Sequence, residues 1–371
     1  MNREYAVGTR AIHVGRPVKY PGAPINVSPG FSSTYNSGST AVYSRDDQEI
    51  IAALEEVVGS LEGGTAVAFA SGMASIAAGF DVLAAILHRT PKVLVSGSSY
   101  FGTIMQLRHR RENFGWTIIE SRAKNTASFL REIDGVDVVW LETPSNPELL
   151  VFDIAAVAKR ARAANAVLCV DNTFATPYLQ NPLMLGADIV VHSATKSLSG
   201  HSDVLGGLLI AKDQRIVAKV REIRSFYGGI LGSMEAFLIL RGIRTLHLRM
   251  DRASSNAAVL SAVIQSHPKV LEVHYPFLAS NPEVEIAKKQ MKSGGSLFCF
   301  RVGGSAYAAD RLTKSLKLAF SATSLGGVET QIDRRARYKG ETVPEDFLRV
   351  SVGIEDVEDL VDDFTQALEH I

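Results

Sequence analysis

Lys196 lies in the segment VVHSATKSLSGHSD, and Asp171 closes the apolar run AVLCVD. A lysine set among small and hydroxyl residues directly after an apolar strand suits a buried amine. Burial disfavours its charged form, lowers its pKa and makes it a nucleophile toward a carbonyl carbon. An aspartate ending a neighbouring apolar strand suits a protonated ring nitrogen. Together they are the two groups that pyridoxal phosphate (PLP) requires of a protein, an amine for the Schiff base and a carboxylate for the pyridinium.

Other residues of reactive type fall at ends of apolar runs. In FASGMAS, Ser71, Gly72 and Met73 open a helix after a strand. Free N–H groups at such a helix start bind phosphate. Read alone, this is a strand-to-helix turn capped by Ser71. Tyr100 follows KVLVS, where ligands gather in open α/β sheets, and its ring could stack on a cofactor. In LETPSNP, Asn146 could bond a phenolate or carboxylate oxygen and Glu142 could orient its neighbours. Asp171 is followed by Thr173, and an N-cap is its competing role. Ser193 and Thr195 offer hydroxyls to a phosphate. His192 and His201 read as structural.

These residues need a frame. The chain has 371 residues, 46% hydrophobic and 21% charged, which suits an ordinary folded core. A formal net charge of zero gives no support for nucleic acid or an anionic membrane as partner. The two cysteines, Cys169 and Cys299, sit in apolar runs and predict core positions in a reducing compartment. No apolar segment has the length of a membrane span. The N-terminus lacks a signal-peptide core, so a cytoplasmic protein is expected. No metal site is expected.

Residues 1–47 are rich in Gly, Pro, Ser and Tyr without sustained helical period, and predict an extended N-terminal arm. Residues 48–241 alternate short apolar runs (TAVAFA, KVLVS, WTIIE, VDVVWLE, AVLCVD, ADIVVHS, VLGGLLIA) with helical patterns such as SIAAGFDVLAAIL. That rhythm predicts α/β architecture with a large, mostly parallel sheet covered by helices on both faces. Residues 242–371 predict a smaller C-terminal α+β domain, with strands at SLFCFRV, LKLAFSA and FLRVSVG. No G-x-G-x-x-G follows the first strand, which counts against a dinucleotide site.

The chain resembles the Cys/Met-metabolism family of PLP-dependent enzymes, which includes cystathionine γ-synthases, cystathionine γ- and β-lyases, methionine γ-lyases and O-acylhomoserine sulfhydrylases. The likeness rests on YSR at 43–45, SGMAS at 71–75, SYFGT at 99–103, ETPSNP at 142–147, VDNTFATP at 170–177, HSATKSLSGHSD at 192–203, SLGGVET at 324–330 and LRVSVGIED at 348–356. It implies an aspartate-aminotransferase-like fold and a homo-oligomer with shared sites, usually a dimer of dimers. It implies that Lys196 carries PLP, Asp171 pairs with the ring nitrogen and Tyr100 stacks on the ring. Gly72, Met73, Ser193 and Thr195 would hold the phosphate, joined by Tyr43 and Arg45 from the neighbouring subunit. Arg349 would clamp the substrate carboxylate, helped by Asn146 and Ser324. A phenol at Tyr100 lowered by the cofactor and nearby cations could assist proton transfer.

The departures bear on substrate. Many relatives place a glutamate before SLGG, where it can meet a distal ammonium; here Thr323 stands there. The following stretch, TQIDRRARYKGETVPEDF, carries Arg334, Arg335 and Arg337, which could meet a distal acid but read first as a solvated basic loop. The resulting expectation is elimination or replacement at the β or γ carbon of a sulfur-containing or O-acylated amino acid. Cystathionine γ-lyase-like activity is the single choice, with γ-replacement of the synthase or sulfhydrylase type as the alternative. A PLP-binding member with little turnover is the reading from another class.

Overall fold

The computed structural model describes residues 5–38, 42–338 and 340–371. Seven strands form the larger sheet: β1 (Thr65–Phe69), β2 (Lys92–Ser96), β3 (Thr117–Ser121), β4 (Val138–Glu142), β5 (Val167–Asp171), β6 (Ile189–Ser193) and β7 (Gly207–Ala211). Their order is β1-β7-β6-β5-β4-β2-β3. Only β7 opposes its neighbours, and the other pairings are parallel. Six strands therefore release their carboxyl ends along one edge, where ligands gather in this kind of sheet. All five residues of β4 and of β7 are buried, as expected of strands covered on both faces.

Local chemistry sets the element ends. Ser71 accepts a hydrogen bond from Ala74 N at 3.1 Å and starts the helix Gly72–Leu87, a cap contributing roughly 1 kcal/mol. Gly63, at φ 82°, ends the helix Glu49–Glu62 in the left-handed region that favours glycine. On one face of the sheet Phe80 packs on Trp140, ring centroids 4.5 Å apart, inside a cluster with Val93, Val191 and Leu209. The other face packs against the helix Glu49–Glu62 through Leu54, Val57, Val58 and Leu61.

The second sheet has the order β10-β11-β12-β9-β8. Its strands are β8 (Val270–His274), β9 (Leu297–Val302), β10 (Phe320–Ser321), β11 (Gln331–Arg334) and β12 (Phe347–Ser351). Its core gathers Phe298, Phe300, Leu348, Leu360 and Phe364. The helix Leu246–Gln265 serves both cores. Leu246 and Met250 belong to the first, while Ala257, Leu260 and Ile264 belong to the second.

Three local expectations are corrected. The N-terminal arm contains a helix, Val7–His13, whose Ala11 is buried in the main core. The run LKLAFSA yields only the two-residue strand β10, because Phe320 and Ser321 are both exposed and little holds them to a core. Strands β8 and β11 escaped notice. In β8 the pattern is broken by exposed Leu271 and Glu272, and β11 is polar in type yet largely buried through ion pairs.

Candidate active site

The carboxyl edge of the large sheet carries the reactive residues in order. β1 leads to Ser71, Gly72 and Met73. β2 leads to Tyr100, the residue before the helix Phe101–Phe114. β4 ends in Glu142 and continues to Asn146. β5 ends in Asp171, and β6 ends in Ser193 and continues to Thr195 and Lys196. Close approach is built in. A Cβ on Gly207 would stand 2.1 Å from Ser71 O, and one on Gly72 would stand 2.8 Å from Ser193 Cβ. Glycine at both positions lets the helix start sit directly on β6 and β7.

The second sheet completes the site. Ser324 comes from the loop between β10 and β11, and Arg349 lies within β12, paired with Asp333 of β11 and Cys299 of β9. Every residue nominated above for the site, apart from Tyr43, Arg45, Arg334 and Arg337, lines one cavity of about 420 Å³. Tyr43 and Arg45 lie outside that lining, exposed on the arm, with the guanidinium 5.1 Å from the Tyr43 ring centroid.

Within the cavity, Lys196 Nζ donates to Ser324 Oγ at 2.7 Å. Burial, with Arg349 and Arg335 as nearby cations, brings the lysine down to about 8. Ser324 has φ 90°, a conformation rare for a residue with a Cβ and costing roughly 1–3 kcal/mol. Its carbonyl accepts from Arg349 Nη2 at 2.9 Å, while Asn146 Oδ1 accepts from Arg349 Nη1 at 2.8 Å. Burial, followed by Arg335, lowers Arg349 to about 10.

Asp171 is not a helix cap. Its Oδ1 accepts from Thr173 N at 3.0 Å and from Thr173 Oγ1 at 2.6 Å. Burial pushes its carboxyl up against the lowering effect of those bonds. Oδ2 has no hydrogen-bond partner among the described residues. Glu142 accepts from Tyr100 N at 2.6 Å, and burial and the Asp171 charge push it well up. For Tyr100, Arg335 and Arg349 do act to lower the phenol. Burial and Glu142 outweigh them, so the protein's own groups by themselves raise it.

The donor set fits PLP. A buried carboxyl with one unengaged oxygen calls for a cation such as a ring N–H. The Gly72 and Met73 N–H groups have no acceptor among the described residues, and no hydrogen bond is described for Ser193 Oγ, so three donors face a position for phosphate. Thr195 Oγ1 is less free, since it accepts from Gly206 N at 3.1 Å and lies 3.3 Å from Gly206 O.

Sequence reasoning missed Phe174, Leu205, Leu325 and Tyr338 in the lining. It also misjudged Arg335, which is buried in the cavity wall and is no part of a solvated loop. The signal was there in the surrounding acids: Asp333 and Glu341 pair with it and make burial tolerable. His192 is buried against Glu62 at 2.6 Å, a structural pair as expected.

Comparison with known proteins places these features in context. Residues 9–369 match the family described as Cys/Met metabolism PLP-dependent enzyme. The chain is 39% identical to cystathionine beta-lyase of Bacillus subtilis, over 89% of this chain and 86% of that protein. It is 36% identical to L-methionine gamma-lyase of Pseudomonas deceptionensis, over 99% and 98%. Its fold superposes on cystathionine gamma-lyase from Lactobacillus plantarum, solved with L-serine, with a TM-score of 0.92, 33% identity and 99% coverage of both chains.

Proposed function

We propose, since the chain belongs to the Cys/Met-metabolism family of PLP-dependent enzymes and has their aspartate-aminotransferase-like fold, that it cleaves the carbon–sulfur bond at the γ carbon of a sulfur amino acid in the manner of a cystathionine γ-lyase. The observation that carries this reading is one buried amine, Lys196, brought down to about 8 and held at 2.7 Å by Ser324, in the same cavity as the unengaged oxygen of Asp171.

PLP, when bound, supplies an electron sink conjugated to the substrate's α carbon. Lys196 would hold its aldehyde carbon, Asp171 its ring nitrogen, and Tyr100 its ring face. The Gly72 and Met73 N–H groups with the Ser193 and Thr195 hydroxyls would hold its phosphate, and Tyr43 and Arg45 of a second copy would complete that cradle.

The chain's own groups then divide the work. Arg349 is a two-pronged donor whose current acceptors, Asn146 Oδ1 and Ser324 O, keep the fork flat and aimed. A substrate α-carboxylate takes the same bidentate geometry. Lys196 Nζ, once free of the cofactor, has a pKa close to working pH, so it can take the α proton and give it up again. γ-Chemistry needs a second proton moved at Cβ, and the same amine, pivoting on Ser324, serves both carbons. Tyr100, beside the ring position, is suited to pass a proton to a departing sulfur.

A second reading is replacement at the same carbon with an O-acylated homoserine. The observation favouring it is Thr323, a neutral residue exposed at the rim where it also borders the next groove. A threonine offers no charge to the distal ammonium of cystathionine. A panel of cystathionine, methionine, homocysteine, cysteine and O-acetyl- and O-succinylhomoserine decides, with keto acid and thioether scored in parallel. Keto acid from cystathionine or methionine supports the lyase. Thioether from acylated homoserine without keto acid supports replacement. No product from any substrate by cofactor-loaded protein refutes both and leaves a binding protein. Lys196→Ala should abolish either activity.

A further inference from the structure

The end of β11 and the 3₁₀ turn Arg335–Arg337 that follows put three neighbouring arginines to different uses. Arg334 is bound to Asp310 at 2.7 Å and to Glu345 at 2.9 Å. Arg337 is bound to Asp333 at 2.6 Å. Arg335 is the one turned into the reaction cavity, with only 5% of its side chain exposed. Its Nη1 donates to Asp333 Oδ2 at 2.9 Å, its Nη2 donates to Glu341, and its guanidinium lies 4.9 Å from the Tyr338 ring centroid. Its Nε–H is buried and has no hydrogen-bond partner among the described residues. Tyr338 lines the cavity beside it.

An enclosed, charged N–H without an acceptor is costly until one arrives. The pairing around it fixes what that acceptor can be. Asp333 and Glu341 offset the charges of Arg335 and Arg337, so Arg335 offers the cavity wall hydrogen-bond donors more than a broad positive field. A carboxylate or carbonyl oxygen satisfies such a donor. An ammonium, which only donates, does not. The acids that line the cavity, Glu142 and Asp171, come from the strand ends beneath the cofactor position, and the rim residue is Thr323. The α-carboxylate already has its own fork in Arg349.

We infer that Arg335, backed by Tyr338, forms the subsite for the far end of the substrate's side chain, and that this subsite takes an oxygen acceptor, best a carboxylate, and disfavours an ammonium. The inference rests on the reading of the cavity as an amino-acid site. It assigns to the enzyme substrates whose leaving group ends in a carboxylate or ester oxygen, either half of a thioether-linked amino acid or an acylated homoserine. Arg335 is a specificity residue in this account; its charge also contributes, after burial and Arg349, to lowering Lys196.

The test uses cofactor-loaded protein and three unreactive amino acids of similar reach: L-2-aminoadipate, L-norleucine and L-lysine. Binding is read from the cofactor's absorbance. Wild type should bind aminoadipate about tenfold or more tightly than norleucine, with lysine no tighter than norleucine. The paired substitution Arg335→Met with Glu341→Gln removes one charge of each sign and leaves Asp333 with Arg337. It should reduce the aminoadipate advantage to about twofold or less while norleucine binding stays put. Equal binding of aminoadipate and norleucine by wild type overturns the inference, as does an advantage that survives the double substitution. If the double variant does not fold, the wild-type ratio alone decides. Failure of all three to perturb the spectrum overturns the amino-acid site itself, which separates that failure from a failure of Arg335.

Discussion

Replacing Asp171 with asparagine removes one charge and almost no volume. The amide oxygen can keep the two Thr173 bonds, now 3.0 and 2.6 Å. The other arm changes from an acceptor to an NH₂ donor and so meets a ring N–H head on. Loss of a preorganised charge in a dry site costs roughly 2–4 kcal/mol of transition-state stabilisation. At 1.36 kcal/mol per factor of ten, kcat should fall about 30- to 900-fold. Stability should move the other way. Burial holds the Asp171 carboxyl above its ordinary pKa. A folded-state pKa above the unfolded one means that the acid's cost is absent below the ordinary range, grows as pH rises from the ordinary to the raised value, and is complete above it. At neutral pH the cofactor-free asparagine variant should therefore have a Tm equal to or above wild type. The assay is kcat and cofactor absorbance on the loaded protein, with thermal melting on the cofactor-free protein. Near-wild-type kcat with full cofactor occupancy would mean that Asp171 only ties down Thr173. A lower Tm in the cofactor-free protein would mean that the carboxylate is a structural brace.

Capture of PLP by cofactor-free protein should speed up as pH rises, with a midpoint at about 8, because the neutral amine of Lys196 is the nucleophile; stopped-flow rates with a midpoint near the 10.5 of an ordinary lysine would contradict the burial argument. Mixing Arg45→Ala with Lys196→Ala protein should restore activity through a hybrid site, since Arg45 is exposed away from its own cavity. Verified hybrids without activity would remove Arg45 from the site. Thr323→Glu should raise the kcat/KM ratio of cystathionine over methionine about 5- to 150-fold, the worth of roughly 1–3 kcal/mol in a partly desolvated charged bond. An unchanged ratio would show that position 323 does not face the substrate.

The large sheet was readable because its strands are buried on both faces and its helices carry a separate period; AVLCVD and ADIVVHS gave both β5 and β6 and the residues that end them. Lys196 and Asp171 could be found for the same reason, as polar residues at the ends of apolar runs. What could not be read lay where burial is achieved by pairing. Arg335 has the composition of a surface residue, and only contacts with Asp333 and Glu341 make it an interior one. β11 is hidden for the same cause. Nor could sequence tell that Ser324 takes a left-handed backbone, since serine has no preference for it.

Lys196–Ser324 and Arg349–Asn146 join the two sheets across the cavity, and a small apolar cluster of Leu149, Phe174, Leu297, Cys299, Leu325 and Phe347 joins them as well. On the proposed reading, both polar links use groups that cofactor or substrate would claim. On that reading the fasteners of this seam are also the tools of the reaction, and binding of cofactor and substrate would exchange protein–protein fasteners for ligand-mediated ones. Amide exchange should register that trade. Protection around 324 and 349 should follow the occupancy of the cavity, while protection within β4 and β5 stays constant.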